Sequence, residues 1–277
     1  MPNFSYVKPV RPVAPYLGGK SRLADQIVTI IDQIEHTAYA EVFIGMGNVF
    51  LRRHRRPDAE IINDRNKEVA NLFRILQRHY VQFMDVLKWQ LTTRNDFDRL
   101  LSTDPETLTD LERAARFLYL QRTAFGGKIT GQSFGMVKTG PARFDIAKLT
   151  SILEDVHERL ASVTIECLDY KDLIARYDHP GCLFYLDPPY YGCEHDYGKH
   201  LFDRSEFELM AGILRGIQGK FLLSLNDHPQ VRQIFDGFRM IEVKTTYTVA
   251  GAENAITAAE LVITNTAANA RPPDLFS

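Results

Sequence analysis

Early in the chain, apolar residues recur at the spacing of a helix face: Leu23, Ile27, Ile30, Ile31 and Ile34. A mostly apolar run at residues 39–44 follows, and a turn carrying Gly45 and Gly47 comes directly after it. The first pattern predicts a helix entered from Lys20, the second a short buried strand. The same alternation continues downstream. Residues 59–62, 163–165, 183–186 and 221–225 read as strands. Between them lie helix faces formed by Val69, Leu72, Phe73 and Leu76, by Leu149, Ile152, Leu153, Val156 and Leu160, and by Phe207, Met210, Ala211 and Leu214. Strands alternating with helices predict a doubly wound, mostly parallel α/β sheet.

Residues 80–143 break this rhythm: they offer helices and a loop-rich run at 123–141, and no strong strand. We read them as a helical and hairpin insert, with 1–79 and 144–277 forming the α/β domain. Glycines at 126, 127, 131, 135 and 140, interleaved with Phe125, Phe134 and Phe144, predict an extended or hairpin loop.

Composition narrows the class. The 277 residues are 45% hydrophobic and 25% charged, the balance of a globular protein, which excludes disordered and fibrous chains. No run is long and apolar enough to span a membrane, and residues 1–11 lack a signal-peptide core, which predicts a cytoplasmic protein with no membrane partner. Cys167, Cys182 and Cys193 form no CxxC pair, so reduced structural thiols and no metal site are expected. With Lys and Arg totalling 33 against 35 Asp and Glu, the net charge of -2 does not mark a polyanion-binding protein. Between residues 111 and 148, however, Arg113, Arg116, Arg122, Lys128, Lys138, Arg143 and Lys148 face only Glu112 and Asp145, a local +5. The run Arg52-Arg53-His54-Arg55-Arg56 reads either as a phosphate contact or as a solvated helix end.

Three motifs carry candidate chemistry. Residues 15–21, Pro-Tyr-Leu-Gly-Gly-Lys-Ser, look superficially like a triphosphate loop, but Ala14 stands where the first glycine is needed and the run before it is a poor strand. A flexible glycine entry to the first helix accounts for the glycines and leaves Tyr16 beside Lys20 unexplained. In the second motif, Glu41-Val42-Phe43-Ile44-Gly45-Met46-Gly47, a strand ends in two glycines that let a ligand approach the backbone. A dinucleotide fingerprint would place a third glycine where Phe50 stands, so a nucleoside cofactor fits better than NAD. Asp64, ending the next strand, is placed either to accept both ribose hydroxyls or to cap the helix starting near Asn66. The third motif, Asp187-Pro188-Pro189-Tyr190, follows a fully apolar strand. Its two prolines stop any regular element and leave carbonyl acceptors without N–H donors beside a carboxylate and an aromatic ring. Open α/β sheets bind ligands at the C-terminal ends of their strands, so Gly45, Asp64 and Asp187 are expected in one crevice.

Together with Leu168-Asp169-Tyr170 and Ser224-Leu225-Asn226-Asp227-His228, these motifs resemble, in order, the Dam-like amino-methyltransferases that methylate adenine N6 in DNA. The resemblance implies a site-specific, adenine-specific DNA methyltransferase using S-adenosylmethionine. Tyr16, Lys20, Phe43, Gly45, Gly47, Asp64, Asp169 and Asp187 would form the cofactor site, and Asp187, Pro188, Pro189 and Tyr190 the catalytic tetrapeptide. It also implies double-stranded DNA as partner, with Arg122, Lys128, Lys138 and Arg143 of the insert as contacts, and leaves open a cognate restriction endonuclease or none. Asp169 alternatively caps the helix that follows it. The arginine-rich, Asn-containing hairpin of the GATC-reading members is only loosely matched, so the site read is not implied to be GATC. Alternative readings are the same chemistry on cytosine N4 or on RNA, or an inactive DNA-binding relative.

Overall fold

The computed structural model describes residues 3–16, 20, 23–125, 131–135, 140–192, 203–248 and 255–266, with backbone alone for 244–248 and 255–259. In chain order the elements are β1 (Ser5–Tyr6), α1 (Ala24–Ile31), β2 (Ala38–Glu41), β3 (Arg55–Arg56), β4 (Ala59–Asn63), α2 (Lys67–Arg78), α3 (Tyr80–Leu87), α4 (Arg94–Ser102) and α5 (Asp110–Thr123). They continue as α6 (Ile146–Arg159), β5 (Thr164–Glu166), α7 (Tyr170–Tyr177), β6 (Cys182–Leu186), α8 (Ser205–Gly216), β7 (Lys220–Asn226), α9 (Pro229–Ile234), β8 (Arg239–Thr248) and β9 (Ala255–Thr264).

Seven strands form one sheet in the order β5-β4-β2-β6-β7-β9-β8. The first five run parallel, and β9 and β8 join antiparallel at one side. The chain builds outward from β2 through β4 to β5, then returns to place β6 on the other flank of β2. That reversal opens a crevice between β2 and β6 at their C-terminal ends, where open α/β sheets bind ligands.

The central strands are mostly apolar on both faces because both are covered. Along β6, Leu183 and Tyr185 enter one core with α1, α2 and α6, while Cys182, Phe184 and Leu186 enter a second core with α7, α8 and α9. The same alternation divides Leu222 from Phe221, Leu223 and Leu225 in β7. Two-sided burial removes the polar alternation, so the strands read as continuous apolar runs.

The insert is not separate from this packing. Phe83, Leu87, Phe97, Leu100, Ala114, Leu118 and Tyr119 of α3 to α5 belong to the first core, continuous with Leu72 and Phe73 of α2. Helix α5 begins with a capping box between Thr109 and Glu112. Beyond it, Ala124 bridges Phe134 in antiparallel fashion, with Phe125 N donating to Ser133 O and Gly135 N to Thr123 O, which is the base of the expected hairpin.

The basic run at 52–56 has a third explanation, internal to the fold. Arg53 is fully buried, donating to Glu60 Oε1 at 2.9 Å and stacking over Tyr39 at 3.7 Å. Arg159 closes on the same Glu60 at 2.6 and 2.8 Å. Arg55 donates to Asp32 O and Arg56 to Ala161 O. Removing one partner of such a buried set strands a charge, so the run ties the β2–β4 side of the sheet to α6.

Candidate active site

Five loops leave the C-terminal ends of the parallel strands, and each carries a residue singled out in the sequence. After β2, Gly45 and Gly47 take positive φ angles of 50° and 73°, a left-handed conformation glycine adopts without a Cβ penalty. A Cβ on Gly45 would stand 3.1 Å from the Tyr16 ring, so this glycine also allows Tyr16 to lie against the loop backbone.

After β4, Asp64 accepts from Gly45 N at 3.0 Å through Oδ2 and from Asn66 N at 2.9 Å through Oδ1. Burial pushes its carboxyl up to about 6, against the two amide bonds that favour the anion. The cap of α2 is Asn66, which accepts from Glu68 N. Asp64 lies two residues earlier and takes its other hydrogen bond from the glycine loop. Asn63 beside it donates to Val42 O and Leu168 O and accepts from Leu168 N, stitching the ends of β2, β4 and β5 together.

After β5, Asp169 does cap its helix, accepting from Lys171 N at 3.1 Å, while its other oxygen accepts from Arg65 at 2.9 Å. Phe43 lies 6.0 Å from the Tyr170 ring, between the β2 and β5 loops. After β7, Asn226 holds the backbone of Tyr191 through both its N–H and its carbonyl. The Tyr191 ring packs against Phe207 and His228.

After β6 stands Asp187, followed by Pro188 and Pro189, both buried, and half-buried Tyr190. Lys20 approaches from the loop before α1 and is only 3% exposed. Its Nζ lies 3.2 Å from Asp187 Oδ1, 2.8 Å from Glu260 Oε2 and 2.7 Å from the Tyr190 hydroxyl. Burial opposes the charge on Lys20, but Asp187 and Glu260 outweigh it and hold its pKa above the ordinary value. Asp187 is pushed up to about 7, by burial first, with Lys20 pulling it down and Glu260 pushing it up.

The structure thus brings together Tyr16, Lys20, Gly45, Gly47 and Asp64 with Asp187 and Tyr190 around the β2–β6 crevice, and places Phe43 and Asp169 on its β5 side. In the insert, Arg122 donates to Val13 O at 2.7 Å and to Arg143 O at 3.4 Å, and Arg143 donates to Ala124 O at 3.0 Å. Both guanidinium groups are engaged with main-chain carbonyls at the hairpin base. Lys128 and Lys138 lie outside the described residues, as does Cys193; Cys167 and Cys182 are free thiols.

Sequence reasoning missed Glu260 altogether and quoted Glu41 and Ser224 only as members of motifs, with no role in the site. Each is a polar residue interrupting a buried strand, and that interruption was the available signal. All three lie on the sheet face shared by Tyr39, Leu183 and Leu222, by the two-residue period of a strand. Among the described residues, no cluster of His, Cys, Asp and Glu is arranged to hold a metal, and no helix is long and apolar enough to cross a membrane.

A mostly parallel sheet with a glycine loop after its first central strand, carboxylates after the next two, and an Asp-Pro-Pro-Tyr turn across the switch point is the arrangement of a nucleoside-binding α/β protein. The chain belongs to the D12 class of N6 adenine-specific DNA methyltransferases, whose family model matches residues 16–249. It is 22% identical over 244 residues to the type II methyltransferase M.CviBI of Paramecium bursaria Chlorella virus NC1A, covering 86% of this chain and 91% of that one. It is 23% identical over 277 residues to M1.LlaDCHI of Lactococcus lactis subsp. cremoris, covering 92% and 95%. A DNA N-6-adenine-methyltransferase of Escherichia phage P1 is 24% identical over 253 residues, which cover 83% of this chain and 32% of that protein. The enzyme is accordingly an adenine-specific DNA methyltransferase that uses S-adenosylmethionine.

The residues present fit that cofactor. The loop after β2 carries no side chain at Gly45 or Gly47, and the Tyr16 ring lies against it. Asp64 is a buried carboxylate whose two oxygens each accept one amide hydrogen bond, and each oxygen retains a further lone pair for a hydroxyl donor.

Proposed function

We propose that the enzyme methylates adenine N6 at a defined sequence in duplex DNA, acting on a base extruded from the helix into the crevice beside Asp187. A stacked, paired adenine cannot reach the end of β6, and extrusion costs a few kcal/mol that DNA contacts offset. The observation that carries the reading is Asp187, a carboxylate at the switch point whose charge is balanced by a buried lysine.

In this reading the glycine loop, Tyr16, Phe43, Asp64 and Asp169 hold the cofactor, with Asp64 accepting from the ribose hydroxyls and Asp169 from the adenine amine. Bound S-adenosylmethionine supplies an electrophilic methyl group on a sulfonium sulfur. The chain's own task is to make the base amine nucleophilic. The N6 lone pair is delocalised into the ring, so acceptors on both N6 hydrogens are needed to localise it. The Asp187 carboxylate and the Pro188 carbonyl take those two hydrogens, and the rigid prolines fix the second acceptor relative to the first. Tyr190 flanks the base. No covalent intermediate on the protein is required.

Sequence choice belongs to residues 80–143, with Lys128 and Lys138 as DNA contacts. Arg122 and Arg143 hold the main-chain carbonyls of Val13, Arg143 and Ala124, and a base contact by either would exchange a main-chain bond for one to DNA. Exchanging this segment with that of a relative of different site preference tests the reading: the methylated sequence should move with the segment, and an unchanged site would refute the placement.

A further inference from the structure

Glu260 lies on β9, an antiparallel strand outside every motif that marked the site, yet it is 1% exposed and sits opposite Asn226 at the ligand end of β7. Among the described residues its carboxylate takes hydrogen bonds from Lys20 Nζ at 2.8 Å, Ser224 Oγ at 3.2 Å and the Tyr190 hydroxyl. The ammonium of Lys20 has three hydrogens, and three acceptors surround it: Glu260, the Tyr190 oxygen and Asp187. The contact to Glu260 is shorter than the 3.2 Å contact to Asp187. Glu260 therefore holds the ammonium slightly away from Asp187, close enough to balance its charge and far enough not to consume its acceptor capacity. The ammonium falls on Oδ1, so Oδ2 is the oxygen that a base amine would meet.

We infer that Glu260 is a positioning residue for methyl transfer, anchoring Lys20 and Tyr190 so that Asp187 is not drawn into a tight ion pair and keeps an acceptor oxygen directed at the base. This rests on the reading of Asp187 as the N6 acceptor. A buried Lys20 with Asp187 as its sole anion would close onto it as a tight pair and withdraw a lone pair from the base. Without Lys20, the buried Glu260 and the partly buried Asp187 would be two neighbouring carboxylates without a countercharge between them, and one would protonate. The set of one lysine between two acids avoids both outcomes. Ser224 and Tyr190 fix the orientation of the outer acid, and Tyr190 ties the network to the catalytic turn itself.

Around Asp187 the titratable groups are Lys20 from the loop before α1, Glu41 and behind it Tyr39 from β2, Tyr185 from β6, Glu260 from β9 and Tyr190 from the turn. Replacing Glu260 by Gln removes one of the negative charges that oppose ionisation of Asp187. The acid limb of the reaction should then move to lower pH while the plateau rate falls, a pairing that general loss of packing does not produce.

The test is single-turnover methyl transfer to duplex DNA by the full chain across about pH 5 to 9, with S-adenosylmethionine affinity by calorimetry and melting temperature in parallel. For Glu260→Gln the expected result is a plateau about tenfold or more lower, an acid limb displaced to lower pH, and cofactor affinity within about twofold of wild type. A wild-type plateau overturns the inference, as does a rate loss that follows melting temperature with the acid limb unmoved. If that variant does not fold, Ser224→Ala loosens Glu260 alone; a several-fold lower plateau with unchanged cofactor affinity supports the role, and a wild-type rate overturns it. Asp187→Asn separates this inference from the reading beneath it. If Asp187→Asn stays active, the reading of Asp187 itself fails; if Asp187→Asn is dead and Glu260→Gln is wild type, only the role of Glu260 fails.

Discussion

The backbone N–H of Gly45 donates to Asp64 Oδ2 at 3.0 Å, joining the loop after β2 to the end of β4 through one buried carboxylate. The carboxylate that would receive a ribose thus also sets the shape of the loop the cofactor lies on. Asp64→Asn leaves one oxygen where two amide bonds are now accepted. The S-adenosylmethionine dissociation constant should rise about tenfold, ~1.4 kcal/mol, with DNA affinity little changed. Because burial pushes Asp64 up to about 6, wild-type cofactor binding should also weaken as pH falls below that value. Calorimetric titration checks both, and unchanged affinity in the variant would reduce Asp64 to a loop tie.

Asp187 predicts the pH dependence of transfer. Burial pushes its carboxyl up to about 7, and the anion is the form that accepts the N6 hydrogens. The single-turnover rate should be level above that value and fall by about tenfold per pH unit well below it. Asp187→Asn should lose about a hundredfold or more at every pH. A rate that stays flat down to about pH 5 would show that the ionised carboxylate is not needed.

Gly45→Ala combines backbone strain with a steric contact. Its φ of 50° disfavours a side chain, and the new Cβ would meet Tyr16 at 3.1 Å. Strain of ~1 to 2 kcal/mol is expected in the melting temperature, together with weaker cofactor binding. Gly131→Ala is the control: its φ is 58° and, among the described residues, nothing lies within 4 Å of its Cβ, so it should share the strain and leave cofactor affinity alone. Equal effects of the two on cofactor binding would detach Gly45 from the cofactor.

Glu41 predicts a stability effect opposite to the usual carboxylate pattern. It is buried, accepts from Tyr39 Oη at 2.7 Å, and is pushed up to about 8, by burial first, with Tyr39 and Arg53 opposing. A folded-state pKa above the unfolded value of ~4.3 means the folded chain binds the proton more tightly, so this group's contribution favours folding at low pH and is lost as pH rises through about 8. Glu41→Gln keeps an acceptor for Tyr39 without an ionisable group. Its melting temperature relative to wild type should rise from about pH 6 to about pH 9. A difference independent of pH would refute the assignment.

Arg122→Ala separates bracing from base reading. The guanidinium holds Val13 O and Arg143 O, so its loss should loosen the hairpin base, lower the melting temperature and weaken methylation of all sequences alike. Methylation profiled across a library of sites checks this. A changed preference at one base position would instead show direct reading, worth ~1 to 3 kcal/mol for a bidentate contact to guanine.

The alternation of strands and helices, the glycine turn after the first buried strand and the Asp-Pro-Pro-Tyr turn were all legible from the amino-acid order. Each is local: periodicity, turn chemistry and the absence of proline N–H groups act over a few residues. The α/β class and the gathering of Gly45, Asp64 and Asp187 followed from one further rule, that parallel sheets bind ligands at their strand ends. Other features depended on the sheet order. Strand β8 and the full length of β9 left no clear pattern, and a run of four arginines that looked like surface proved to contain Arg53 with no exposure. Lys20 and Glu260 are 240 residues apart and meet only because β9 enters antiparallel beside β7. Sequence supplied the carboxylates, but their ionisation was set by tertiary structure, since burial and the neighbouring charge, not residue type, decide whether Asp187 at about 7 and Glu41 at about 8 carry a proton.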